Sequence, residues 1–138
     1  MVVFEPTLPS IIPNIETPPN LNKFLRILHN ANTKFPFTDH ILLVEWNAQQ
    51  GWARPQITPY QPISLDPTAS VFNYGFSCFE GMKAYKDDHG RVRLFRPDMN
   101  LDRFNASAAR IGLPGFDGNE LLKLMAKFVE VESRFIYG

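Results

Sequence analysis

The chain has 138 residues, with 14 Lys and Arg against 14 Asp and Glu, 44% hydrophobic residues and one cysteine. That length holds one domain rather than two, and a formal net charge of zero leaves no electrostatic case for nucleic acid or an anionic membrane surface. A single cysteine excludes an intramolecular disulfide framework and fits a reducing compartment, and no apolar run approaches the ~20 residues of a membrane span.

The first twenty residues hold Pro6, Pro9, Pro13, Pro18 and Pro19. Proline fixes φ and has no backbone donor, so residues 1–20 read as an extended or disordered arm, either solvated or docked on the domain formed by residues 21–138. Met1 to Ile12 lacks the basic start and clean apolar stretch of a signal peptide. Glu5 and Glu16, with little Arg, argue against a transit peptide. The expected compartment is the cytoplasm, with mitochondria left open.

Leu21, Phe24, Leu25 and Leu28 recur at helical spacing and predict a short helix over Leu21 to His29. Ile41, Leu42, Leu43 and Val44 form a continuous apolar run, which predicts a strand from His40 to Trp46 buried on both faces. Asn47 to Trp52, with Gly51, carries turn chemistry. Gln56 to Leu65 reads as extended, with Pro59 and Pro62 marking an edge or irregular pairing, and Asp66-Pro67 closes it.

An aromatic cluster follows, Phe72, Tyr74, Phe76 and Phe79, ending in Glu80-Gly81 where the chain must bend. Lys83 to Lys86 and Arg91 to Arg96 are the arms of a hairpin. Asp87-Asp88-His89-Gly90 connects them, Gly90 supplying a positive φ. Pro97 suits the first position of a helix, with Met99, Phe104, Ala108 and Ile111 on one face and Gly112 as its C-terminal cap. Asp117 and Glu120 have capping-box spacing and start a last helix with Leu121, Leu124, Met125, Phe128 and Phe135 on one face. With 12 Phe in the chain, the core is expected to be aromatic.

Few residues stand out as carriers of chemistry. Arg103 offers planar paired donors that suit a phosphate, and it equally suits a surface ion pair with a neighbour such as Asp102. Tyr74 and Phe79 are either pocket walls or core aromatics. Cys78 reads as a small buried residue rather than a nucleophile. His29, His40 and His89 show no metal-ligand spacing, Lys83 and Lys86 read as solvent-facing, and Asp87-Asp88 reads as a loop charge pair.

The runs Tyr74 to Phe79, Phe79-Glu80-Gly81-Met82-Lys83-Ala84-Tyr85, Leu94-Phe95-Arg96-Pro97 and Asn100-Leu101-Asp102-Arg103 resemble the branched-chain amino-acid aminotransferases. These are class IV pyridoxal-phosphate enzymes. Arg110-Ile111-Gly112-Leu113-Pro114, Phe37-Thr38-Asp39-His40 and Val44-Glu45-Trp46 extend the resemblance to about Phe37 through Glu132. It implies an α/β (α+β) fold, the small N-terminal domain of the D-amino-acid-aminotransferase-like architecture, incomplete at its C-terminus and without the large cofactor domain. It implies pyridoxal 5′-phosphate as cofactor with Arg103 on its phosphate, and Tyr74 and Phe79 on the substrate side chain. The implied reaction moves the amino group of leucine, isoleucine or valine to 2-oxoglutarate in a homodimer. Thr33-Lys34-Phe35-Pro36 departs from the Gly-containing run usual in the family. The family's catalytic lysine is expected outside this chain, so no catalytic residue is assigned within it. The rival readings are a non-catalytic truncated product or partner-binding stub, and another class IV enzyme such as a D-amino-acid aminotransferase or an aminodeoxychorismate lyase.

Overall fold

Two helices and a hairpin give the chain its frame, and local chemistry sets each of their ends. In the computed structural model, which describes residues 2–3 and 37–136, strand β6 (Ala84–Lys86) pairs antiparallel with β7 (Val92–Leu94) in the register Ala84 to Leu94, Tyr85 to Arg93 and Lys86 to Val92. Gly90 sits at φ +74°, as the turn requires. The turn is held by Asp87. Its Oδ1 accepts from the backbone N–H groups of His89 (3.0 Å) and Arg91 (2.9 Å). Its Oδ2 accepts from Arg91 Nε (2.9 Å) and from Arg93 Nε and Nη2 (3.0 and 2.8 Å). The other edge of β7 pairs with β1 (Val2–Val3), Val2 opposite Leu94. At those two residues the N-terminal arm is docked; the rest of the arm and the helix expected over Leu21 to His29 lie outside the described residues.

Helix α2 (Pro97–Arg110) starts two residues after β7, with Pro97 fully buried at its first turn. Gly112, at φ +71°, ends it in a Schellman turn: Leu113 N–H donates to Ala108 O (2.9 Å) and Gly112 N–H to Ala109 O (3.2 Å). The inward face differs from the expected one. Asn100, Leu101 and Ala108 are buried, while Met99 is 40% exposed. Helix α3 (Gly118–Val131) begins at Asp117, whose carboxylate accepts from the N–H groups of Asn119 and Glu120 (2.8 and 3.1 Å). The reciprocal half of the expected capping box is absent, because Glu120 turns to Lys123 Nζ instead (2.6 Å). Phe135 leaves the helical stripe, since α3 stops at Val131 and a 3₁₀ turn over Ser133–Phe135 follows.

Strand β2 (His40–Leu43) pairs antiparallel with β5 (Gln56–Pro59) in a two-stranded sheet, and β3 (Trp46–Asn47) with β4 (Gly51–Trp52) in a short hairpin. Asn47 Oδ1 caps that hairpin's turn by accepting from the N–H groups of Gln49 and Gln50 (3.1 and 2.8 Å). Helices α2 and α3 pack on each other, and α3 packs on β2. The class is mixed α and β with small antiparallel sheets, as expected. The core is thin: Ile57, Leu94, Leu101, Ala108 and Ala126 are its buried apolar residues among those described. Two expectations fail here for one reason. Ile41 to Val44 are only half-buried, and none of the described phenylalanines is buried. One helical layer against a two-stranded sheet has too little surface to enclose a strand on both faces, or a set of aromatic rings. A short helix, α1 (Ser70–Tyr74), holds the start of the aromatic cluster.

A long-range polar contact joins β2 to the end of α3. Glu132 is 4% exposed and His40 is 9% exposed. Glu132 Oε1 lies 2.5 Å from His40 Nδ1, and its Oε2 accepts from Asp39 N–H at 3.0 Å. Arg134 pairs with Asp39 beside it. Losing one partner of a buried pair strands the other. Glu132→Ala should therefore lower stability by about 3 kcal/mol. Glu130→Ala, which removes only a surface pair with Lys127, should cost less than about 0.5 kcal/mol. Urea unfolding of both variants checks the contrast.

Candidate functional site

Arg103 is in the second turn of α2 and Asn100 is one turn before it, so the two side chains share a face. Both reach Glu80. Arg103 donates from Nε to Glu80 Oε2 (3.1 Å) and from Nη2 to Oε1 (2.8 Å). Asn100 Nδ2 donates to the same Oε1 (2.9 Å) and to Gly81 O (2.7 Å), and Gly81 N–H donates to Oε1 (3.1 Å). Arg103 is in an ion pair, as one reading of the sequence had it, but its partner is Glu80 rather than Asp102. Adjacent residues on a helix do not face each other.

The same region opens into a cleft of about 460 Å³. Lys83, Arg96 and Arg103 supply three cationic side chains to its wall, Met82, Tyr85 and Phe95 add apolar surface, and no carboxylate lines it among the described residues. Arg96 lies between β7 and α2 at φ +47°, ψ +51°. The ring of the following proline disfavours the right-handed helical region there. A second, apolar cavity of about 720 Å³ lies between β2 and the helix pair, lined by Leu42, Phe104, Phe116, Leu121, Leu124 and Cys78. Cys78 is half-buried on that wall rather than sealed in a core. Asn105 shapes this cavity: its side chain donates to Phe116 O (2.9 Å) and accepts from Phe116 N–H (3.0 Å). Phe116 in turn lies against Phe104, ring centroids 5.3 Å apart.

Tyr74 and Phe79 line neither space. Tyr74 ends α1 at 82% exposure, and Phe79 is 93% exposed in the unpaired segment before Glu80. Lys83 is exposed as expected and Lys86 half-buried, while His89 is exposed in the hairpin turn. Sequence reasoning missed Asn100, Arg96 and the role of Glu80. The spacing of three between Asn100 and Arg103, which puts two donors on one helix face, was the available signal. Nothing local marked Glu80, 23 residues from its partner.

Hydrogen bonding from Arg103 outweighs burial and holds the Glu80 carboxyl below the usual carboxylate range, with Asn100 and the Gly81 N–H adding to it. Reciprocally, Glu80 raises the Arg103 guanidinium. At Asp87 burial works upward, but the donors from the Arg91 backbone, the Arg93 and Arg91 side chains and the His89 backbone win and hold it far below its ordinary value. A carboxyl depressed by folding contributes stability above its unfolded pKa, and that stability is lost as pH falls through the depressed value. The Glu80–Arg103 pair should therefore persist into mildly acid solution. A ¹³C titration of the Glu80 carboxyl should give a midpoint below that of a free glutamate, moving up toward it in Arg103→Ala.

No protein-family model matches the chain. Individual curated proteins do. It is 54% identical over 94 residues to the cytosolic branched-chain-amino-acid aminotransferase of Saccharomyces cerevisiae, covering 68% of this chain and 25% of that protein. It is 44% identical over 123 residues to the mitochondrial enzyme of the same yeast, covering 81% and 31%. To the mitochondrial branched-chain-amino-acid aminotransferase of Bos taurus it is 48% identical over 102 residues, covering 74% and 26%. The chain thus spans about a quarter to a third of the length of the curated relatives it matches. The relatives' names place them in the cytosol or in mitochondria, and no helix among the described residues is long and apolar enough to cross a membrane. At 44–54% identity to these aminotransferases over two thirds or more of its length, the chain belongs to the branched-chain-amino-acid aminotransferase family, a class IV aminotransferase family.

Proposed function

We propose that this chain is the small-domain part of an enzyme that transfers the amino group of leucine, isoleucine or valine to 2-oxoglutarate, and that its contribution is one end of the cofactor site. The observation that carries the proposal is the cleft wall, with Lys83, Arg96 and Arg103 and no carboxylate among its described lining residues. Such a wall fits the phosphate of pyridoxal 5′-phosphate. Arg103 would hold that phosphate through planar paired donors, and Lys83 and Arg96 would add positive potential around it. When bound, the cofactor supplies an electron sink for charge developing on the substrate's Cα. Lys83 lies in Met82-Lys83-Ala84, unlike the family's catalytic lysine context, so the lysine that would anchor the cofactor and carry the proton is assigned to a part of the enzyme outside this chain.

Tyr74 and Phe79 are proposed as the walls against the substrate's branched side chain. Side chains this exposed can line a pocket only when another surface closes over them. In this reading that surface belongs to the remainder of a family-length enzyme or to the second subunit of a homodimer. The domain boundaries proposed with it are an arm over residues 1–20 and a small domain over residues 21–138. The cytoplasm is the proposed compartment.

Two measurements test the reading. In a family-length enzyme carrying this segment, Arg103→Ala should weaken cofactor binding by roughly one to two orders of magnitude, since a hydrogen bond to a charged group is worth that much. Arg103→Lys should recover part of the loss, because one ammonium cannot present a planar fork. Arg110→Ala, about 10 Å further along the same helix, should leave it unchanged. An unchanged dissociation constant for Arg103→Ala in a folded enzyme would make Arg103 a surface residue. The purified 138-residue chain should show no turnover of leucine with 2-oxoglutarate; measurable turnover would refute the assignment of the lysine elsewhere.

A further inference from the structure

Arg103 has more donors than its ion pair uses. A guanidinium carries five N–H donors. Glu80 takes two of them, one from Nε and one from Nη2. Both protons of Nη1 and the second proton of Nη2 have no partner among the described residues, and the side chain is 58% exposed where it lines the cleft. The two edges of the fork are thus divided. The inner edge is spent on a carboxylate, and the outer edge is a second planar pair of donors with the spacing a phosphate accepts. Glu80 is itself held in place. Its Oε1 accepts from Asn100, which is 8% exposed, and from the Gly81 N–H. Its side chain is 19% exposed and does not line the cleft.

We propose that Glu80, fixed by Asn100, is a positioning residue that holds the Arg103 guanidinium so that its outer edge is presented to a phosphate monoester. The inference rests on the phosphate reading of Arg103 above. An exposed arginine samples many rotamers, and an anion that binds it must freeze them. A guanidinium already gripped on one edge loses less on binding. The depressed carboxyl of Glu80 keeps it an anion at neutral pH, so the grip is present under working conditions.

The alternative has the opposite sign, which makes the idea testable. If Glu80 were a bystander or competed with the ligand, removing its negative charge would leave anion binding unchanged or strengthen it. If it positions Arg103, removing the charge weakens binding. The test uses the 138-residue chain and pyridoxine 5′-phosphate, which has the phosphate but no aldehyde to react with surface lysines. Dissociation constants come from amide chemical shifts, and the Arg103 Nε–H resonance reports the order of the guanidinium. Glu80→Gln keeps one acceptor oxygen and loses the charge. It should weaken binding about three- to tenfold and broaden the Arg103 Nε–H signal in the ligand-free chain. Equal or tighter binding in Glu80→Gln, with binding still lost in Arg103→Ala, would overturn positioning and leave the phosphate reading standing. Binding unaffected by Arg103→Ala, or no saturable binding to the wild-type chain, would overturn both. Should Glu80→Gln perturb the amide spectrum as a whole, the wild-type chain offers the same comparison. Affinity for the ligand and sharpness of the Arg103 signal should fall together as Glu80 is protonated. Affinity that holds while the signal broadens would overturn the proposal.

Discussion

The constraint on which the rest of the described structure depends is the two-residue connection from β7 to α2. Leu94 is buried at the end of the central strand of its sheet, and Pro97 is already fully buried in the first turn of the helix. Only Phe95 and Arg96 lie between them. The proline ring disfavours the right-handed helical region at Arg96, and the residue stands in the left-handed one, a conformation that costs a non-glycine residue about 1–2 kcal/mol. The cost is offset by what the tight link fixes. It sets the rotation of α2 against the hairpin, which puts Asn100 and Arg103 over Glu80 and Gly81, and it leaves the Arg96 side chain on the cleft wall.

The features that could be read from the sequence are those whose cause lies within a few residues. Gly90 in its turn, Pro97 at a helix start, Gly112 past a helix end and Asp117 at a cap each answer a local demand of the backbone, and each stands where that demand is met. The contacts that decide the site are different. Glu80 and Arg103 are 23 residues apart, and His40 and Glu132 are 92 apart. No periodicity marks such partners, because they are brought together by the packing of elements and not by the spacing within one. Burial was misread for a related reason. A run such as Ile41 to Val44 shows what a strand could bury, while the amount it does bury is set by how many layers surround it.

The site has the same division. An arginine early in a helix is legible as an anion-binding candidate, and the family resemblance names the anion. What the residues alone do not display is the grouping of Lys83, Arg96 and Arg103 around one space with no carboxylate among its described lining residues. Tyr74 and Phe79 show the converse. Their chemistry suits a hydrophobic pocket, and their exposure means that the described residues alone do not build one.

The buried pair between His40 and Glu132 also has a consequence in time. The two residues are separated by 92 positions, and β2 lies near the start of the described chain while Glu132 lies near its end. At synthesis rates of about 5–20 residues per second, His40 exists for roughly 5–20 s before its partner has been made. For most of that interval β2 can have its sheet partner β5, made within about 20 residues of it, but not the helix that packs on it. The nascent chain therefore carries an apolar strand that no amount of correct local folding can cover. The order of synthesis, rather than the final stability, sets the period in which that strand is open to wrong pairings and to holding by a chaperone.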